Sequence, residues 1–256
     1  MIQDISYGRL GLAYLFILLV LFLSARTKIG KEKEIALACL RMTVQLVLIG
    51  YILSYIFANP SPVLSIIVVC CMAFFAVNNI KRRVSADISP RLTRIVSLSM
   101  WASTFLCLFF FIFVILDVYP WYHPQYFIPI CGMILGNSMN GIALGTTRLV
   151  KGYETMRPQV ETALMLGATP KKASRHILQD AFDSALMPTI NTMVGMGIVS
   201  LPGMMTGQIL AGNSPLIATR YQICIMLAIS ASVALASILL IQFGYKTFFN
   251  KRGQLY

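Results

Sequence analysis

Charge is scarce in this chain. Of 256 residues only 12% are charged, and acidic charge is scarcest, with nine Asp and Glu against 21 Lys and Arg. A soluble domain usually carries about twice that charged fraction. Histidine occurs twice and never at ligand spacing from a cysteine, which argues against a Cys/His metal centre. The six cysteines, Cys39, Cys70, Cys71, Cys107, Cys131 and Cys224, form no C-x-x-C pair. They lie in or beside apolar stretches and read as small packing residues, without a disulfide framework. There is no G-x-x-x-x-G-K-[ST] phosphate loop. Nor is there a carboxylate pair inside an apolar stretch or a nucleophile–base pattern. The expectation is therefore a protein that is not itself an enzyme and holds no cofactor. The net charge of +12 would suit nucleic acid, but no basic domain or base-stacking module is present to use it.

What is abundant is apolar sequence: 57% of residues are hydrophobic, with a mean hydropathy of +0.76. These residues fall in blocks, roughly 8–25, 35–57, 63–80, 95–116, 126–147, 185–211 and 217–243, and ~20 apolar residues suffice to cross a bilayer as helix. The pattern predicts an all-α polytopic membrane bundle of about seven transmembrane helices, as one domain spanning 1–256. The first block is read as an anchor and not a signal peptide. Asp4 and Arg9 precede it, whereas Arg26, Lys28, Lys31 and Lys33 follow it.

Basic residues test that layout. The connections after blocks one, three and five, with the C-terminal tail, hold 18 of the 21, from Arg26 through Lys81, Arg82, Arg83, Arg91, Arg94, Arg148 and Lys151 to Lys246, Lys251 and Arg252. The other side keeps Arg9 and Arg220. Such asymmetry predicts an N-out, C-in topology with an odd number of spans. Asn59-Pro60-Ser61-Pro62 makes a tight outer turn. Trp121 and His123, in the other outer loop, read as an interface anchor and a solvated loop residue.

Several polar residues fall at membrane depth. Block five carries Gly132, Gly136, Gly141 and Gly145, small residues that let helices approach closely, and also Asn137 and Asn140. In block two Arg41 and Gln45 share a helix face. Arg41 either snorkels to the interface or lines a pathway. Block six is interrupted by Pro202, beside Gly203 and Gly207, and non-helical backbone at that depth is tolerated only against protein or water. It also carries Met193, Met196, Met204, Met205, Thr206 and Gln208. The thioethers suit a soft cation or simply fill space in a flexible bundle. Arg41, Gln45, Asn137, Asn140 and these block-six residues are the pathway candidates. No metal ligand set is assigned.

One long connection, about 148–183, is predicted as helix, break at Arg157-Pro158, helix, turn at Gly167-Ala168-Thr169-Pro170, and helix. Within it, Glu161-Thr162-Ala163-Leu164-Met165-Leu166-Gly167 resembles the E-A-A-x-x-x-G core of the cytoplasmic loop in ABC importer permeases. Ile177 follows at the matching place, but the closing Leu-Pro stands eight residues late, at Leu186-Met187-Pro188.

A second resemblance covers almost the whole chain. It is carried by Arg41-Met42-Thr43-Val44-Gln45-Leu46, Gly50-Tyr51, Gly136-Asn137-Ser138-Met139-Asn140-Gly141, Leu166-Gly167-Ala168-Thr169-Pro170 and Met187-Pro188-Thr189-Ile190-Asn191. Ala218-Thr219-Arg220-Tyr221-Gln222 also carries it, and the run Ser200-Leu201-Pro202-Gly203-Met204-Met205-Thr206-Gly207-Gln208-Ile209-Leu210-Ala211-Gly212 is highly specific. These stretches resemble the small seven-span permease family that includes the bacterial iron-export permease and the plant aluminium-resistance permease. The resemblance implies an ABC-transporter permease linked to iron or metal export, sited in a bacterial inner (plasma) membrane and working as a homodimer. It implies a separate P-loop ATPase subunit, which would bind the ATP and Mg. Glu161, Ala163, Gly167, Ala168, Thr169 and Pro170 would then form the ATPase-coupling element. Two alternatives stay open: an ABC permease for another cargo (nucleotide sugar, lipid or peptide) and an ion-gradient-driven carrier.

Overall fold

The computed structural model describes residues 6–28, 30–84, 88–250 and 252–256. Asp4 and Lys251 lie outside them. Ten α-helices form among the described residues: α1 (Tyr7–Thr27), α2 (Glu32–Ala58), α3 (Pro62–Arg83), α4 (Pro90–Phe110), α5 (Pro124–Thr155), α6 (Arg157–Met165), α7 (Pro170–Ala173), α8 (Arg175–Gly195), α9 (Gly203–Leu210) and α10 (Pro215–Gly244). A π-helical turn, Phe111–Leu116, prolongs α4, and a 3-10 turn, Tyr245–Phe248, prolongs α10. Proline sits in the first turn of α3, α4, α5, α6, α7 and α10, where its missing N–H has no helical acceptor to lose.

Among the described residues, six helical stretches are long and apolar enough to cross a membrane: Gly8–Thr27, Glu32–Ala58, Pro62–Arg83, Pro90–Leu116, Pro124–Thr155 and Pro215–Phe248. Block six does not form one continuous span. Its first part belongs to α8, which begins back at Arg175 inside the long connection. The backbone then breaks after Gly195 and resumes as α9. Hydropathy alone placed a boundary near Asp183, but the helix crosses that point without interruption.

The chain divides into two compact units. One comprises residues 1–60 with 210–212; the other holds 61–209 and 213–256. In the first, α1 and α2 are tied by Tyr14 Oη and Thr43 Oγ1 at 2.6 Å and by Ser24 Oγ donating to Glu32 Oε1 at 2.8 Å. Arg41 and Gln45 are exposed on α2.

In the second unit, α5 is the central helix. Ser65 Oγ donates to the Tyr122 carbonyl, and Arg83 Nη1 donates to Asn140 Oδ1 at 2.6 Å, so α3 runs parallel to α5. Ser138 and Ser232 share a buried hydrogen bond of 2.8 Å, and Leu149 reaches Gly244, so α10 is parallel to α5 too. α4 is antiparallel to α10, with Leu92 beside Gly244. Consequently Arg83, Arg91, Arg94, Arg148, Lys171, Lys172, Arg175 and Lys246 gather at one end of this unit, and Arg220 lies toward the other. At that other end Trp121 packs edge-on to Phe127. His123 is half-buried, with its Nδ1 shielded and its ring near that of Tyr126, so it is only partly solvated. Cys107 and Cys131 are buried as expected of packing residues, whereas Cys70 and Cys71 are exposed on α3.

Candidate functional site

The long connection is a rigidly built turn. α6 is pinned to the core by buried Val160 and by Leu164 and Met156. Arg157 Nε and Glu161 Oε1 form an i,i+4 ion pair of 2.8 Å along its face. At its C-terminus Ala168 N–H donates to the Ala163 carbonyl at 2.9 Å and Gly167 N–H to the Leu164 carbonyl at 3.0 Å, with Gly167 at φ +87°. That is a Schellman-type stop, which needs a residue at ease in the left-handed region. A Cβ on Gly167 would meet nothing within 4 Å, so the demand is conformational and not steric. Thr169 Oγ1 then accepts from Lys172 N–H at 3.4 Å, a long cap, and Pro170 opens α7. Buried Ser174 donates to the Pro170 carbonyl at 2.8 Å and hands the chain to α8.

The six coupling candidates are therefore the residues that shape the turn: Ala163, Gly167 and Ala168 stop α6, Thr169 and Pro170 start α7, and Glu161 steadies α6. What the turn presents outward is a different pair. Met165 and Leu166 are 85% and 84% exposed. They fill unspecified positions of the E-x-A-x-x-x-G pattern, and only the run of three large apolar residues Leu164-Met165-Leu166 within a polar loop could have marked them; the first of the three packs inward.

The loop is braced from behind. Tyr153 stacks on Phe248 with centroids 4.1 Å apart and meets Phe249 edge-on, and Gly253 approaches Pro170. α8 is fastened to α5 along a seam of small residues. A Cβ on Gly145 would come within 3.1 Å of Ala185 Cβ and 3.2 Å of the Ala181 carbonyl; one on Gly152 would lie 2.6 Å from Ile177 Cγ2. Gly141 is equally tight, 2.7 Å from Val233 and 3.0 Å from the Ala185 carbonyl. The small-residue reading holds for Gly141 and Gly145. It fails for Gly136, which faces open space, and at Gly132 only the flexible tip of Met72 comes near. Arg148 and Asp180 add an exposed ion pair of 2.8 Å across the same seam. The 21 residues of α8 make a rod of roughly 30 Å from the turn to the break.

Beyond Gly195 the backbone reverses. Val199 and Ser200 N–H groups return to the Gly195 carbonyl, Gly197 sits at φ +83°, and its N–H donates to the Ser200 carbonyl. Pro202 then precedes α9, and both the N–H and Oγ1 of Thr206 donate to the Pro202 carbonyl. Thr206 thus spends its hydroxyl proton on its own helix. Met193 and Met196, at the end of α8, face α10. Gln222 Nε2 points at Met196 Sδ at 3.7 Å. Ser230 Oγ lies 3.2 Å from Met193 Sδ, but its one proton goes to the shorter bond, 2.7 Å, with the Met226 carbonyl. The Oε1 atoms of Gln222 and Gln208 are buried with no protein partner. Met204 packs on the core and Met205 is half-buried. Met193, Met196, Gln222 and Ser230 therefore form a line of thioether and polar groups between α8 and α10.

Asn137 and Asn140 do not join it. Asn137 is exposed and donates to its own helix at Met133, and Asn140 holds Arg83 on α3. Among the described residues no three of His, Cys, Asp and Glu gather as a metal site.

A multi-pass helical membrane protein with one capped polar loop and one broken apolar segment is the class that this architecture defines. Within that class the chain belongs to the uncharacterised protein family UPF0014, whose model matches residues 7–249. It is 39% identical over 215 residues to the UPF0014 membrane protein slr1647 of Synechocystis, covering 84% of this chain and 83% of that one. It is 32% identical over 253 residues to the probable iron export permease protein FetB of Escherichia coli, covering 99% and 96%. Identity to the Arabidopsis thaliana protein ALUMINUM SENSITIVE 3 is also 32%, over 246 residues, covering 95% and 87%. No solved structure matches.

Proposed function

We propose that this chain is the permease subunit of an ABC-type exporter of iron or another metal ion, working as a homodimer in a bacterial inner membrane. ATP, with Mg, is bound and hydrolysed by a separate P-loop ATPase subunit. The broken α8–α9 segment supplies the seventh crossing, in an N-out, C-in arrangement that puts the basic end of the second unit in the cytoplasm.

The observation that carries this reading is the exposed Met165–Leu166 pair on a turn continuous with α8. Two large apolar side chains held out in water by a capped, core-pinned helix suit a groove on a soluble partner. Displacement of the turn then travels along α8, because its seam with α5 leaves no slack, and reaches Met193, Met196 and the break. A gradient-driven carrier has no use for such a knob. The family relation to FetB supports a metal cargo. The absence of a His or carboxylate cluster among the described residues favours, as a second reading, the same machine with another cargo.

The test is co-purification in detergent from the native host. A stoichiometric P-loop ATPase is expected with the wild-type chain and is lost with Met165→Asp/Leu166→Asp, while Glu161→Gln only weakens it. Undiminished capture by the Met165/Leu166 variant overturns the docking surface; no ATPase with any form overturns the ABC reading.

A further inference from the structure

A second site lies away from the loop and the broken segment. Between α4 and α10, at the basic end of the second unit, a cavity of about 610 Å³ opens to the outside of that unit. Its mouth carries Arg91 and Arg94 from the first turns of α4 and Lys246 from the end of the α10 span, and no carboxylate is among its described lining residues. None of the three makes an ion pair among the described residues. Lys246 Nζ sits 5.7 Å from the centroid of the Phe243 ring, which steadies it over the opening. Below the cations the walls turn apolar, with Leu98, Ala102 and Phe243 extending the slot between the two helices. From Arg94 to Ala102 this is roughly 12 Å of helix.

Three cations with no ion-pair partner among the described residues repel one another, and an anion placed among them removes that repulsion. The apolar floor narrows the choice, since a free phosphate ion would use the mouth and leave the slot empty. The nearby cavity against α7 and α8 is a useful contrast. It also carries Lys171, Lys172 and Arg175, but Asp183 shares its lining, as does Asp180 in its pair with Arg148.

We propose that the α4–α10 slot binds an anionic phospholipid of the adjacent leaflet, its phosphate among Arg91, Arg94 and Lys246 and an acyl chain along Leu98, Ala102 and Phe243. Charge at the water boundary with an apolar groove beneath it is the arrangement that recognises such a lipid on membrane proteins.

The test is native mass spectrometry of the full chain in an exchangeable detergent, titrated with dioleoyl phosphatidylglycerol, dioleoyl phosphatidylcholine or inorganic phosphate. The glycerol lipid is expected to bind at least tenfold tighter than the choline lipid, and inorganic phosphate to leave it in place. Arg91→Gln/Arg94→Gln/Lys246→Gln should weaken it on the order of a hundredfold. Lys171→Gln/Lys172→Gln should change it less than threefold. Ala102 is exposed, so Ala102→Trp fills the slot without a core clash and should weaken lipid binding about tenfold with all three cations present. Equal affinity for the two lipids, or unchanged binding in the triple variant, overturns the proposal. Displacement by inorganic phosphate makes it a simple anion site. Loss of self-association in Ala102→Trp with lipid binding intact makes the slot an interface between copies.

Discussion

α2 and α5 both have the length and composition to cross a membrane, yet the more apolar of the two is the less buried. The most apolar stretch of α2 has a mean hydropathy of 1.9 and buries none of its residues within its own unit; that of α5 has 1.4 and buries 56% within its own. In water the order would be reversed, because burial there follows apolar area. In lipid the surroundings are as apolar as leucine, and what draws helices together is close approach and internal hydrogen bonds. α5 has Gly141, Gly145 and Gly152 against α10 and α8, and Ser138 against Ser232. α2 displays Leu37, Leu40, Leu46 and Leu48 outward.

The sharpest way to break this comparison is to add one methyl group to each helix. Gly141→Ala should cost about 1–3 kcal/mol, because Val233 and the Ala185 carbonyl already occupy that space. Gly50→Ala on α2 meets nothing within 4 Å and should leave stability unchanged or slightly higher. Thermal unfolding in detergent measures both, and equal losses would remove the packing argument. Gly167→Ala should cost about 1–2 kcal/mol for a different reason, the left-handed backbone, with no packing change. Limited proteolysis should show faster cleavage of the 163–170 turn. Ser138→Ala should cost roughly 0.6 kcal/mol, the usual value of a hydrogen bond between membrane helices. A double-mutant cycle with Ser232→Ala isolates that energy. Asp180→Asn, at an exposed ion pair, should cost less than about 0.5 kcal/mol and vanish at high salt. A larger effect would mean that the pair helps hold the α5–α8 seam.

Much of the fold could be read in advance, and the failures have a common cause. The apolar blocks became helices, and Arg157-Pro158 and Thr169-Pro170 became helix starts, because chain length across lipid and proline chemistry are local properties. The course of α8 was misread. Its first half is polar and its second half apolar, so a hydropathy window divides what the backbone joins. Asn137 and Asn140 were both pathway candidates from their place in block five, yet one bonds its own helix and the other holds Arg83. Which way an amide turns depends on neighbours far away in sequence. The stretch from Glu161 to Gly167 stood out in the sequence, and its residues build the turn; the exposed pair within it, Met165 and Leu166, occupies positions that the pattern leaves unspecified.

By itself, then, the sequence determined that this chain lives in a membrane, where its charged segments lie between apolar blocks, and where the loop turns and the sixth block breaks. Those features follow from composition and from the local demands of glycine and proline. Only the tertiary structure decided which helices pack, that α8 joins the turn to the break, and that Met193 and Met196 face α10. In a bilayer an apolar side chain is at ease inside or outside the bundle, so apolarity no longer marks the core. The choice passes to shape and hydrogen-bond partners, which exist only when the helices meet.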